Sequence, residues 1–80
     1  MDYAIAVCTL REETLSLRDR LNRMGVFVQV VSTPRMLRLG CGLSVKFALN
    51  DLASVRRCVR YCPSFEGYYL YTQQGYEKIY

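Results

Sequence analysis

Leu43-Ser-Val-Lys-Phe-Ala48 alternates apolar and polar side chains along its length, with Leu43, Val45 and Phe47 on one side and Ser44, Lys46 and Ala48 on the other. This is the pattern of a strand with one face buried, and it anchors the reading of the rest of the chain. Just beyond it, Asn50 is a suitable N-cap for a helix whose buried stripe is Leu52, Val55, Val59 and Cys62, with Arg56, Arg57 and Arg60 pointing outward. Pro63 ends that helix. Gly67 to Gln73 reads as a further strand, with Tyr68 and Leu70 on one face and Tyr69 and Tyr71 on the other. Residues 74–80 fit either a short edge strand or a tail.

Working back towards the N-terminus, Val26 to Val31 is a strand rich in β-branched residues. Before it, Leu10, Thr14, Leu17, Leu21 and Met24 recur at helical spacing, and Gly25 stands where a helix ends in a left-handed residue. Thr9-Leu-Arg-Glu12 has the form of a capping box for that helix. Tyr3 to Cys8 is a strand, with Tyr3, Ile5 and Val7 on one face and the smaller Ala4, Ala6 and Cys8 on the other.

The order βαββαβ, with right-handed crossovers, predicts an α+β fold: a ferredoxin-like sandwich with a four-stranded antiparallel sheet and both helices on one face. Residues 1–80 form a single domain, since a chain this short buries only about 60% of its unfolded surface and has no room for a second core. The topology brings the end of the first strand, the start of the first helix, the start of the third strand and the end of the second helix to one edge. Cys8, Thr9, Cys41 and Cys62 are expected to cluster there. The face without helices is expected to carry Ala4, Ala6, Phe27, Gln29, Val31, Lys46, Tyr69 and Tyr71, a surface apolar enough to pair two copies as a homodimer. Aromatic residues fall on the outer strands of this sheet and not on its central pair, so nucleic acid is not expected as a partner.

Composition narrows the function classes. At 51% hydrophobic and 22% charged, the chain is an ordinary globular one. Its apolar runs are far shorter than the ~20 residues needed to span a bilayer, and no basic segment leads into a long apolar one at its start, so a cytoplasmic location and no membrane contact are expected. The net charge of +4 permits an anionic partner without requiring one. There is no histidine, no phosphate-binding glycine loop and no placed carboxylate pair, which argues against hydrolysis. Four cysteines, at 8, 41, 58 and 62, contain no CxxC spacing; they read as reduced thiols, with no metal and no cofactor.

Cys41 holds the concentrated chemical signal. Gly40 and Gly42 free the backbone and clear side chains from the sulfur, while Arg35 and Arg38 upstream would favour the thiolate. The alternative is a turn in which Cys41 is a small apolar filler. Thr33-Pro-Arg35, a short spacer and Cys41-Gly-Leu-Ser-Val-Lys-Phe47 resemble the signature of the selenium/sulfur carrier protein-like family of small bacterial proteins. The resemblance implies a carrier that holds sulfur or selenium on Cys41 as a persulfide or selenosulfide, taking it from a donor protein and passing it to an acceptor enzyme. Such a chain is a carrier protein rather than a stand-alone enzyme. Cys8 and Cys62 would lie close enough to act as resolving thiols. Two other classes stay open: a non-catalytic protein-interaction or nucleic-acid module with a structural Cys41, and a thiol redox protein pairing Cys41 with Cys8 or Cys62.

Overall fold

The computed structural model describes residues 2–79. Five strands and two helices follow in the order β1 (Tyr3–Cys8), α1 (Arg11–Arg23), β2 (Val28–Ser32), β3 (Leu43–Ala48), α2 (Leu52–Val59), β4 (Phe65–Thr72) and β5 (Gly75–Lys78). The sheet order is β2-β3-β1-β4-β5, and every pairing is antiparallel. The expectation of four strands is therefore corrected to five. Residues 75–78 turn back on β4 through Gln73 and Gln74, Gly75 supplies the positive φ of 114° that the reversal needs, and the Thr72 hydroxyl donates to the Gly75 carbonyl at 2.9 Å.

One sheet face and both helices share a core of Ala4, Ala6, Cys8, Val28, Val45, Phe47 and Tyr68 with Leu17, Leu21, Val55, Cys58 and Cys62. Each large apolar side chain among them contributes about 1.5–3 kcal/mol relative to exposure. This corrects the assignment of Ala4 and Ala6 to the open face. The central strand turns its small residues towards the helices, which lets the helix backbones approach, and turns Tyr3, Ile5 and Val7 the other way. Ile5, Val7 and Tyr69 are buried on that other face beneath Leu37 and Leu39 of the β2–β3 loop and Tyr76 of β5. What stays uncovered is a hollow of about 530 Å³ lined by residues including Tyr3, Val31, Lys46 and Tyr71.

The helix ends depart from expectation in part. Gly25, at φ 83°, closes α1 as read: its N–H donates to the Asn22 carbonyl and that of Val26 to Leu21, both at 3.0 Å, which satisfies two orphan carbonyls. The capping box at Thr9 does not form. The α1 N-cap is Leu10 and carries no side-chain cap; instead the Leu10 N–H donates to the Ser64 hydroxyl at 3.2 Å and the Thr9 N–H to the Ser64 carbonyl at 3.0 Å. Leu10 and Met24 are exposed at the two ends of the stripe. Asn50 lies within a short 3-10 turn, Leu49–Asp51, and α2 starts directly after that turn, at Leu52, with Asp51 as an N-cap that makes no side-chain bond.

If the small stripe on β1 sets the helix-to-sheet distance, Ala6→Leu should overpack it and cost about 1–3 kcal/mol in urea denaturation. Tyr71→Ala on the exposed side of the sheet should change stability by less than about 0.5 kcal/mol.

Candidate functional site

The end of β1, the first turn of α1, the β2–β3 loop and the segment between α2 and β4 meet at one end of the sheet. Ser64 ties three of them, since beyond its bonds to Thr9 and Leu10 its own N–H donates to the Glu13 carboxylate at 2.8 Å. A bulge in β4 adds the fourth: Val7 pairs with Gly67 but Cys8 with Phe65, so Glu66 is the extra residue, and its carboxylate accepts from the Gly40 N–H at 3.1 Å.

Gly40 and Gly42 play different parts. Gly40, at φ 76°, lies so close to β1 that a Cβ there would stand 2.8 Å from Val7 Cγ1 and 3.0 Å from the Cys8 carbonyl oxygen. Gly42, at φ 94°, has open space around it. The first fastens the loop to the strand, and the second supplies only a conformation other residues resist. Arg38, at φ 50°, is the one described non-glycine residue in the left-handed region.

Between the glycines, Cys41 is half-buried, and its sulfur lies 3.7 Å from Thr14 Oγ1 and 3.7 Å from the Leu43 carbonyl oxygen. Thr14 is fully buried on the first turn of α1, where its hydroxyl also reaches the Leu10 carbonyl at 3.1 Å. A threonine has one proton to give. With that proton on Leu10, Thr14 accepts from the Cys41 thiol; turned towards the sulfur, it donates to a thiolate. Arg35 and Arg38 are exposed on the same loop. Sequence reasoning placed Thr14 on the buried stripe of α1 and missed this contact, which joins residues 27 positions apart.

Cys8 and Cys62 are brought to the same end, as the topology implied. Cys62 donates to the Glu13 carbonyl at 3.8 Å and shares a side-chain hydrogen bond with Cys8. Burial pushes the Cys8 thiol from its ordinary 9.0 up to about 12, and the neighbouring Cys62, Glu13 and Cys41 add to the rise. Burial and then Glu13 raise Cys62 as well, against opposing pulls from its Cys8 hydrogen bond and Arg20. Cys58 stands apart, donating to the Met24 sulfur at 3.3 Å between the helices. All four cysteines are free thiols, and among the described residues no three His, Cys, Asp or Glu side chains converge to hold a metal ion.

The thiol end gives the fold a pH dependence. The unfolded chain releases the Cys8 proton near 9.0 while the folded chain holds it up to about 12, so this contribution to stability is complete below pH 9 and is lost as the pH rises through that window. The urea midpoint should fall across it, and Cys8→Ala should flatten the fall; an unchanged slope in the variant would assign the effect to other groups.

No helix among the described residues is long and apolar enough to cross a membrane. No curated protein and no solved structure matches the chain. A family model described as "Putative Se/S carrier protein-like" matches residues 3–61, from the first residue of β1 to just beyond α2. That span takes in Cys8, Cys41 and Cys58, the Pro34-Arg35 loop and Thr14, and it stops one residue short of Cys62. Matched over most of its length, the chain belongs to the Se/S carrier protein-like family.

Proposed function

We propose that this protein carries sulfur or selenium on Cys41 as a persulfide or selenosulfide and hands it to a partner enzyme. The observation that carries the reading is exposure. Cys8, Cys58 and Cys62 are 0%, 2% and 5% exposed, whereas Cys41 is only half-buried, on a loop held at the meeting point of four segments. Family membership supplies the cargo. A cytoplasmic setting, where thiols stay reduced, suits the four free cysteines.

Loading is a displacement without net oxidation. The Cys41 thiolate attacks the terminal sulfur of a donor persulfide, R–S–SH; the donor S–S bond breaks, a bond from Cys41 Sγ to that sulfur forms, and the donor leaves as RS⁻. Delivery repeats the step with an acceptor thiolate as nucleophile and Cys41 as leaving group. Thr14 supports both steps, donating its hydroxyl proton to the sulfur when that sulfur is charged. Arg35 and Arg38 add a favourable but solvent-screened charge. Cys8 and Cys62 were the candidates for resolving thiols. Their raised pKa values keep them protonated near neutrality, which suits a carrier that must retain its cargo until an acceptor arrives: a resolving thiolate would attack Cys41 and discharge it. The uncovered part of the open face, around Phe27 and Tyr71, is the surface through which two copies would pair.

Limiting iodoacetamide on the native protein, followed by peptide mapping, should modify Cys41 first and the other three only on unfolding. Cys41→Ser should keep the fold and reduce sulfur uptake from a persulfide donor to background. Thr14→Val, of matching shape, should slow Cys41 alkylation about tenfold for a lost charge-assisted bond of about 1.5 kcal/mol. Equal labelling of a buried cysteine, or sulfur loading on the serine variant, overturns the carrier reading.

A further inference from the structure

Arg20 and Arg23 on α1, and Arg57 and Arg60 on and just after α2, line one open cleft of about 620 Å³ together with Met24, Cys58 and Tyr61. No carboxylate is among these lining residues. The Arg20 guanidinium sits 4.2 Å from the centre of the Tyr61 ring and that of Arg60 5.9 Å from it, so a single exposed tyrosine holds two like charges together. The salt bridge from Arg18 to Asp19, at 3.0 Å, lies outside the cleft.

Helix chemistry explains the sign of this cluster but not its size. Arg20 and Arg23 fall in the last turn of α1 and Arg57 in that of α2, where cations offset the helix dipole. Two helix ends present about −0.5 charge each, so they offset about one of the four positive charges. The surplus stays open to solvent, and the four arginines equal the chain's whole net charge of +4.

We propose that this cleft docks an acidic segment of the protein that exchanges sulfur with Cys41. In naming the partner it rests on the carrier reading, whereas the charge match does not. Guanidinium forks suit carboxylates, which they bind in paired hydrogen bonds. Nucleic acid is the poorer fit, because recognition of single strands relies on open aromatic faces and the Tyr61 ring is engaged by its own arginines. The location suits a docking site. Arg20 acts on the Cys62 thiol, and Thr14, which meets the Cys41 sulfur, stands six residues earlier on the same helix, roughly 9 Å along its axis, so a partner held in the cleft leaves Cys41 uncovered.

The test is an NMR titration of the full chain with synthetic decaglutamate. Amide shifts should concentrate at Arg20, Arg23, Arg57, Arg60 and Tyr61, and binding should weaken as salt rises from about 0.1 M to about 1 M and the screening length falls from roughly 10 Å to 3 Å. Replacing all four arginines by glutamine should weaken binding at least about tenfold. Taking the same charge away elsewhere, with Arg11→Gln, Arg18→Gln, Lys46→Gln and Lys78→Gln, should leave it within about twofold, even though the global charge is equally reduced. Cys41→Ser should bind undiminished, which separates this test from that of the carrier chemistry. Shifts spread over all basic residues, equal weakening by both sets of substitutions, or tighter binding of a uridine decamer than of the peptide at the same arginines overturns the assignment.

Discussion

The structure depends on the narrowness of one side of β1. Ala4, Ala6 and Cys8 present little volume to the helix layer, and the fully buried Leu17, Leu21 and Val55 of α1 and α2 share one core with them. In a chain this short, a core has few side chains to spare, and close approach substitutes for bulk. The larger side of the same strand then needs its own cover. Leu37 and Leu39 provide it, and in doing so they hold the β2–β3 loop across the sheet and fix where Cys41 stands.

The same constraint explains the chemistry at the thiol end. Cys8 occupies the last position of the small stripe, where burial makes it a protonated, inert neighbour, while the loop fastened over the opposite side of β1 keeps Cys41 in reach of solvent. The two cysteines thus differ in character because Cys8 is enclosed beneath the helices, whereas Cys41 meets α1 only at its first turn and is half-buried. A buried thiol can still matter there. Cys8 bonds to Cys62, Cys62 to the Glu13 carbonyl, and Glu13 to Ser64, so the polar groups of this corner are joined in one chain of contacts.

Local pattern revealed what local physics decides. The alternation from Leu43 to Ala48, the stripe of Thr14, Leu17 and Leu21 and the positive φ at Gly25 all appear where the residues alone put them. The convergence of Cys8, Cys41 and Cys62 was legible too, because it follows from element order. What was not legible depends on distant partners. Thr9 and Glu12 have the spacing of a cap, yet Ser64, more than fifty positions away, takes over the end of α1. Ile5 and Val7 look like the natural core side of β1 until the loop that buries their face is known. The last strand was ambiguous because Tyr76 and Lys78 alternate over only four residues. Thr14 carried no chemical signal at all until the fold set Cys41 beside it.

The unequal glycines around Cys41 have a mechanical consequence. Gly40 is wedged against β1 and held by Glu66, and the Gly42 carbonyl accepts from the Thr33 N–H at 2.9 Å, so the segment between them is tied at both ends. Motion of the cysteine is then a flexing between two fixed points and not a translation of the whole loop. With one residue between the two ties, its reach is on the order of a single Cα spacing, ~3.8 Å. Such a short lever cannot thread deep into another molecule. Whatever reacts with this sulfur must bring its own reactive group to the surface, or possess a mouth wide enough to admit the end of the sheet.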